Sequence, residues 1–213
     1  MHLHSYLDKF PLIAILRGVK PEEVVDVAGQ VLEAGFQILE VPLNSPRPLE
    51  SIELLVKHFP DHIIGGGTVM SPDDVKNIAA AGGRLIFMPH SDPAVVRQAK
   101  LSGMLCIPGV ATPTEAFAAL ANGADALKLY PAEQITPVVV KAWRAVVPSN
   151  YRLLPVGGIT PDNMEAYLRV GANGFGLGSA LYKAGMKAAD VGANARAFRD
   201  AVARLTAQGL FKA

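Results

Sequence analysis

Short apolar runs recur along the chain at intervals of roughly 25 residues, and an amphipathic stretch follows nearly every one of them. The runs are rich in Ile, Leu and Val, a composition typical of buried β-strands. They cover residues 12–17, 37–43, 62–68, 84–89, 104–109, 126–131, 152–158 and 174–179. The pattern therefore predicts eight strands, each followed by a helix.

The stretches between the runs carry signals for where helices start and stop. Four of them open with Ser or Thr close to proline and acidic residues, and each ends on glycine. They are residues 71–82, 91–103, 112–123 and 160–171. Ser and Thr accept hydrogen bonds from the first-turn N–H groups, proline suits the first helical position, and glycine terminates helices. Each stretch is predicted to be a helix capped by its Ser or Thr.

Strands joined by helices pair in parallel, because antiparallel neighbours are usually joined by short turns. Eight such units in 213 residues indicate a (β/α)8 TIM barrel, a single domain over residues 1–213 with a short N-terminal helix. The alternative is an open doubly wound sheet, which is disfavoured because no strand breaks the alternation. In a TIM barrel, chemistry gathers at the carboxyl ends of the strands.

Composition narrows the class of protein. Half of the residues are hydrophobic and 18% are charged, as expected of a well-buried globular chain. The net charge of +1 without a basic block argues against nucleic acid or an anionic membrane as partner. No apolar run reaches the roughly 18 residues of a membrane span, and the N-terminus lacks the layout of a secretory signal. A single cysteine, Cys106, excludes an internal disulfide framework, and we expect a cytoplasmic protein.

Lys128 is the lysine that lies inside a predicted strand. Strand alternation puts it on the same side as Ala126 and Tyr130, opposite Leu127 and Leu129, which suits a lysine facing the barrel interior. Burial lowers a lysine pKa, and the neutral amine can then attack a carbonyl and form a Schiff base. The structural alternative is a buried ion pair with Glu40 or Glu133.

Glu40 is likewise a lone charge near the end of an apolar strand. A buried carboxyl with a raised pKa could shuttle protons between water and substrate. The alternative is a salt bridge to Arg17, and the two interpretations are compatible. Arg17 follows the first strand and presents a fork of donors suited to a carboxylate.

Glycines at the ends of the last two strands predict a phosphate site. Gly157 and Gly158 end the seventh strand, and Gly178 with Ser179 ends the eighth. Backbone N–H groups in such loops approach anions closely, and a serine adds a hydroxyl. The G-x-G-x-G run at 174–178 is a weak match to a dinucleotide fingerprint, because it falls at the wrong strand and lacks the full spacing.

The predicted strand ends carry few side chains that could bind a metal ion. The five histidines do not cluster; His2 is in the N-terminal tail, and His90 alone stands at a strand end. A metal-dependent aldolase or epimerase is therefore disfavoured, and no metal is expected. Thr68 ends the third strand after three glycines and supplies a hydroxyl there.

Seven motifs occur in a fixed order between about residues 10 and 185: IAILRG, ILEVPLNSP, GGGTV, PGVATPTEA, LKLYPAE, VGGITP and GLGSALY. Together they resemble the KDPG/KHG family of class I aldolases, which act on 2-keto-3-deoxy-6-phospho sugar acids. The resemblance implies a (β/α)8 barrel, usually a homotrimer, that needs no metal and no cofactor beyond a covalent imine on its lysine.

The same resemblance assigns roles by position. It implies that Lys128 is the Schiff-base lysine and Glu40 the general acid/base. It places Arg17 and Thr68 near the pyruvoyl carboxylate. The implied phosphate site consists of Gly157, Gly158, Gly178 and Ser179.

Two differences between this chain and the gluconate-type members indicate which branch of the family it resembles. This chain has Leu43-Asn44-Ser45-Pro46 after the Glu40 segment and Val156 before the double glycine, where gluconate-type members typically carry Leu-Arg-Thr and Thr. Both are similar to the galactonate-type branch, whose substrate differs at C4. The implied substrate is a phosphorylated keto-deoxy sugar acid, with pyruvate and glyceraldehyde 3-phosphate as products and Asn44 among the binding residues. YPAE after Lys128 is closer to the gluconate type, so the gluconate epimer and 4-hydroxy-2-oxoglutarate remain the alternative.

Other functions fit part of the pattern. A metal-dependent sugar-phosphate epimerase or a thiamine-phosphate-type synthase would share the barrel and phosphate site without needing a nucleophilic lysine. A non-catalytic phosphosugar-binding regulator would bind ligand without forming an imine. Reductive trapping of a substrate on lysine separates these functions from a class I aldolase.

Overall fold

The computed structural model describes residues 3–211, so His2 and the outermost residues of the predicted 1–213 domain lie outside the described part. The helices are α1 Leu3–Lys9, α2 Pro21–Glu33, α3 Pro48–His58, α4 Pro72–Ala80, α5 Pro93–Leu101, α6 Pro113–Ala121, α7 Pro137–Arg144, α8 Met164–Leu168 and α9 Ala188–Ala207. The strands are β1 Leu12–Ile15, β2 Ile38–Pro42, β3 Ile63–Gly67, β4 Leu85–Phe87, β5 Leu105–Ile107, β6 Gly109–Val110, β7 Leu127–Leu129, β8 Leu153–Pro155 and β9 Phe175–Leu177. Every predicted strand is present, and so is the short N-terminal helix.

The helix signals in the sequence act largely as predicted. Helices α2 to α7 each begin with proline, whose missing N–H is not needed in the first turn. Ser71 and Thr112 cap α4 and α6 and accept from backbone N–H groups three residues on. The cap of α5 differs from the prediction: Asp92, and not Ser91, accepts from Ala94 N at 2.7 Å.

None of the helices in residues 3–211 combines the length and apolarity needed to cross a membrane.

The predicted helix over 160–171 is also shorter than the pattern indicates, because α8 begins only at Met164. The Asn163 side chain donates to Gly158 O at 2.8 Å and accepts from Thr160 N at 3.0 Å. These bonds hold residues 160–163 in a turn beside the glycine pair. Side chains of this type compete with the helix for backbone partners, which delays its start.

All strand pairs are parallel, as the alternation predicts. One sheet runs in the order β5-β4-β3-β2-β1-β9 and the other in the order β6-β7-β8. The two sheets meet within a single apolar run, because β5 and β6 are separated only by Pro108. Proline has no N–H to donate to a strand ladder. The fold is thus an α/β fold with a curled parallel sheet.

The two faces of the curled sheet bury different side chains. The inner cluster contains Ile13, Ile15, Ile38, Ile63, Leu85, Phe87, Leu105, Ile107, Ala126, Leu154 and Val156, and α1 adds Leu3 and Leu7 to it. The intervening positions, such as Leu39, Leu127 and Leu129, pack with the helices in the larger outer cluster. Each fully buried Leu or Ile stabilises the fold by about 1.5–3 kcal/mol. A charged side chain on the inner face is therefore exceptional.

Candidate active site

Lys128 projects from the inner face of the curled sheet. It lies in β7, between Gly109 of β6 and Leu154 of β8, and is 4% exposed. The alternation predicted from the sequence is confirmed, since Ala126 belongs to the inner cluster and Leu127 and Leu129 to the outer one. Nζ lies 4.3 Å from the ring centroid of Phe87 and 4.8 Å from that of Tyr130. Two aromatic faces thus shield the amine from bulk water.

The environment of Lys128 favours its neutral form. Burial is the main cause that lowers its pKa to about 8; the Glu40 carboxylate raises the pKa and the Arg17 cation lowers it further. Among the eight ion pairs formed by residues 3–211, none includes Lys128. The ion pairs with Glu40 or Glu133 that the sequence left open are therefore not formed. At pH 7 roughly a tenth of such lysines are neutral, against less than a thousandth of free ones.

Glu40 lies on β2, between Ile15 of β1 and Gly65 of β3. It is 1% exposed, and its Oε2 has no hydrogen-bond partner within the described residues. Burial raises the pKa of Glu40 to about 7, against the opposing effects of Lys128 and Arg17. The predicted alternative of a salt bridge to Arg17 is likewise absent from the ion pairs of residues 3–211. A carboxyl that titrates near pH 7 can both donate and accept a proton.

Gly67, at the end of β3, provides the space that Glu40 occupies. A Cβ atom built on Gly67 would overlap the Glu40 carboxylate. Because Glu40 is enclosed on all sides, it cannot swing into solvent to relieve that overlap. The absence of a side chain at position 67 therefore leaves the space in which the Glu40 carboxylate lies.

Gly67→Ala is expected to displace the Glu40 carboxylate and thereby lower the catalytic rate by about 10- to 100-fold, because small displacements of catalytic groups slow a reaction strongly. Steady-state kinetics measure the loss. Gly29→Ala is the matched control, since its new Cβ would meet only Phe59 Cζ, 4.0 Å away, and α2 favours alanine. An unchanged rate for Gly67→Ala would show that the position of Glu40 does not matter.

Arg17 connects two other predicted residues. Its Nη1 donates to Asn44 Oδ1 at 2.8 Å and to Thr68 Oγ1 at 3.5 Å. Thr68 has a φ of 55°, a left-handed conformation that is unusual for a β-branched residue. Its N–H donates to Phe87 O at 3.1 Å, which ties the turn to β4. Strained backbone of this kind concentrates at functional sites.

A cavity of about 710 Å³ opens beside these groups. Of the predicted residues, six line it: Arg17, Lys128, Gly157, Gly158, Gly178 and Ser179. Glu40, Asn44 and Thr68 lie outside its wall and connect to it through Arg17 and Lys128. The structure thus assembles one cluster of candidate residues, part in the cavity wall and part behind it.

The glycine turn at one end of the cavity has the features of an anion site. Gly157 and Gly158 have φ values of 114° and 59°. Gly157, Gly158 and Ser179 all line the cavity. Gly178 O accepts from Leu181 N and Tyr182 N, so Ser179 begins a tight turn. Glycine-rich turns that line a cavity bring backbone N–H groups close to an anion such as phosphate.

Two further charged residues of the cavity wall were not among the predicted site residues. Glu133 and Lys183 both line the cavity. In the sequence, Glu133 stands out as a polar residue near a strand end and as a possible ion-pair partner for Lys128, whereas Lys183 resembles any lysine of a solvated loop. The one available signal was position, because both residues follow predicted strand ends.

The histidines do not form a metal site in the part of the chain that the structure describes. No group of three or more His, Cys, Asp or Glu side chains in residues 3–211 is arranged to hold a metal ion. His90 follows β4, and its buried Nδ1 has no hydrogen-bond partner among those residues. That the reaction needs no metal stays a prediction.

Comparison with known proteins decides the family. The model of the family described as "Aldolase: KDPG and KHG aldolase" matches residues 3–196. The chain belongs to the KDPG and KHG aldolase family. This aldolase is therefore a carbon–carbon lyase.

Individual relatives point to one branch. The aldolase is 50% identical to the probable 2-dehydro-3-deoxy-6-phosphogalactonate aldolase of Rhizobium meliloti strain 1021, over 85% of this chain and 86% of that protein. It is 44% identical to the 2-dehydro-3-deoxy-6-phosphogalactonate aldolase of Escherichia coli K12, over 91% and 97% of the two chains. A solved structure described as native KDPGal has a TM-score of 0.92 and 42% identity, covering 93% of this chain and 97% of that one.

Proposed function

We propose that the aldolase acts through a Schiff base on Lys128 and cleaves 2-dehydro-3-deoxy-6-phosphogalactonate to pyruvate and D-glyceraldehyde 3-phosphate. The observation that carries the mechanism is the pairing of a buried amine, whose pKa is about 8, with a buried carboxyl, whose pKa is about 7, beside one cavity. The first group supplies a nucleophile and the second a proton donor and acceptor at neutral pH.

The proposed reaction begins when neutral Lys128 Nζ attacks the C2 ketone of the substrate. Glu40, through a water molecule, moves protons to the departing oxygen, and loss of water leaves a protonated Schiff base. Removal of the C4 hydroxyl proton then breaks the C3–C4 bond, and its electrons flow into the iminium to form an enamine. D-glyceraldehyde 3-phosphate leaves, C3 takes up a proton, and water hydrolyses the imine to release pyruvate and the free lysine.

The two ends of the cavity suit the two ends of this substrate. The Arg17 guanidinium binds the carboxylate next to the ketone, a role supported by its hydrogen bonds to Asn44 and Thr68, which orient it. The phosphate binds at the glycine turn of Gly157 and Gly158, through backbone N–H groups there and the Ser179 hydroxyl, and these residues and Gly178 all line the cavity. Binding energy from the phosphate then orients the bond that breaks.

The choice of C4 epimer is supported by the relatives and by two residues. Relatives at 44% and 50% identity bear the galactonate name. The two residues, Val156 and Asn44, belong to the segments that differ from the gluconate-type pattern. Val156 lies in the cavity wall directly before the glycine turn, and Asn44 accepts a hydrogen bond from Arg17. Cleavage rates on the two C4 epimers test the assignment. A rate on the gluconate epimer equal to or above that on the galactonate epimer would contradict it.

Borohydride reduction in the presence of pyruvate tests the covalent step. The reduced adduct should be found by peptide mass analysis on Lys128. Lys141→Met, which removes an exposed lysine of α7, should trap pyruvate like the wild type, and Lys128→Met should not. Trapping at another lysine, or cleavage that a chelator abolishes and a divalent ion restores, would refute the Schiff-base mechanism.

We also propose that the curled sheet closes into an eight-stranded (β/α)8 barrel that forms a single domain. Two hydrogen bonds and one β-bridge support closure. Asp125 N donates to Cys106 O and Lys128 N donates to Pro108 O, both at 2.9 Å, and Val156 forms a parallel bridge with Gly176. Hydrogen exchange tests it, because in a closed barrel the amides of Asp125 and Lys128 exchange as slowly as those of β2.

For the assembly we propose a homotrimer in the cytoplasm, with no nucleic-acid or membrane partner. The resemblance to the family supports the trimer. The net charge of +1 argues against nucleic acid or an anionic membrane as partner. The single cysteine, Cys106, is buried and fits a reducing compartment. Light scattering should give three times the 22.5 kDa chain mass, and a monomer mass would reject the trimer.

A further inference from the structure

Two charged side chains in the cavity wall have no task in the proposed chemistry. Arg17 and Lys128 serve the keto-acid end, whereas Glu133 and Lys183 are exposed side chains of the same wall. Neither Glu133 nor Lys183 belongs to any of the ion pairs of residues 3–211. Two unpaired charges of opposite sign therefore face one cavity.

Glu133 rests against the glycine turn. A Cβ built on Gly157 would overlap Oε2 of Glu133, and one built on Gly158 would lie 3.2 Å from Oε1. The backbone beside it is fixed, because Ala132 N donates to Val156 O and the Tyr167 hydroxyl donates to Ala132 O, both at 2.9 Å. An anion bound at the turn consequently meets this negative charge at close range.

Lys183 projects from the loop that follows β9. Its backbone is anchored on both sides: Tyr182 N donates to Gly178 O at 3.0 Å, and Met186 N donates to Lys183 O at 3.0 Å. The Tyr182 hydroxyl donates to Glu23 Oε1 at 3.1 Å, which holds the loop against α2. The ammonium thus extends from a fixed point on the loop that also carries Ser179.

We propose that Lys183 and Glu133 set, with opposite signs, the affinity of this end of the cavity for a phosphate monoester. The inference rests on the proposed function and deepens it. The glycine turn offers N–H dipoles but no full charge, so the charge that a dianion meets at this end comes from these two side chains. Lys183 attracts the phosphate over an uncharged hydroxyl end. Glu133 repels it and limits how tightly the triose phosphate product is held.

Phosphorus NMR titrations with inorganic phosphate test the proposal on the full-length protein. Lys183→Met should raise the dissociation constant about tenfold, and Glu133→Gln should lower it about fivefold, because each variant removes one charge next to the anion. Lys187→Met is the matched control: it removes an exposed lysine at the start of α9, outside the cavity wall, and should change the constant less than about twofold.

The proposal would be overturned if the dissociation constants of Lys183→Met and Glu133→Gln shifted in the same direction, or by no more than that of Lys187→Met. So would a Glu133→Gln enzyme with a lowered kcat and unchanged phosphate affinity, because Glu133 would then act in the chemistry. Borohydride trapping of pyruvate, which carries no phosphate, should be unaffected in all three variants. If the wild type fails to trap pyruvate while the dissociation constants for phosphate change as expected, the Schiff-base mechanism is refuted. The proposed effect of Lys183 and Glu133 on phosphate affinity would still hold.

Discussion

Lys128→Met is expected to lower the rate of carbon–carbon cleavage by about 10⁴-fold or more, with the protein still folded. Methionine fills nearly the same volume but has no nitrogen to form an imine, so the electron sink for breaking the C3–C4 bond is lost. Steady-state assays of pyruvate release measure the loss. Residual cleavage within about tenfold of the wild type would show that the reaction does not pass through Lys128.

The stability of the same variant provides its control. Lys128 has a folded pKa of about 8, below the ordinary 10.5, so its charge opposes folding. Replacing it with a buried apolar side chain should raise the free energy of unfolding by on the order of 2 kcal/mol. This gain should be fully present below pH 8 and fade as the pH rises toward 10.5, where the unfolded lysine also loses its proton. Urea unfolding at pH 7 and pH 10 measures the difference.

Such a result would place the lysine among residues kept for chemistry at a cost in stability. The same holds for Glu40, whose pKa of about 7 lies above the ordinary 4.5. Its ionisation therefore lowers the free energy of unfolding as the pH rises from about 4.5 to 7. Two opposite charges thus sit on a face that is otherwise apolar, without the close ion pair that would offset their burial.

The strands were predictable because burial leaves a direct trace in the sequence. Every apolar run contains a strand that is shorter than the run, and the run over 104–109 also holds the first residue of β6. The run over 12–17, for example, ends as strand at Ile15, although Leu16 is fully buried. Apolar residues mark what is enclosed, whereas the ladder stops where backbone partners end. Caps and turns such as those of Asp92 and Asn163 depend on local competition for N–H groups, which the pattern does not resolve.

The candidate site was predictable where a residue contradicts its surroundings. Lys128 and Glu40 stand out as single charges in apolar strands, so their type and position suffice. Glu133 and Lys183 lie in loops where charges are ordinary, and only the tertiary fold brings them to the cavity. The role of Gly67 is equally invisible, because it follows from the distance between two strands and not from either sequence segment.

Glu40→Gln is expected to slow cleavage by about 10³-fold, because glutamine keeps the shape of the side chain but carries no exchangeable acid proton. Reductive trapping of pyruvate should persist, since Lys128 remains. The carboxylate at position 40 is what raises the pKa of Lys128 against the effect of burial. Without it that pKa should fall below about 8, so the rise of trapping rate with pH should move to lower pH.

The matched control for that experiment is Glu53→Gln, which removes an exposed carboxylate from α3 and should leave both cleavage and trapping unchanged. A trapping profile that moves to higher pH in Glu40→Gln would mean that the carboxylate does not act on the amine. Cleavage at the wild-type rate would remove Glu40 from the proton transfers. Only slow cleavage together with a lowered trapping pH agrees with a buried carboxyl that both tunes the nucleophile and carries its protons.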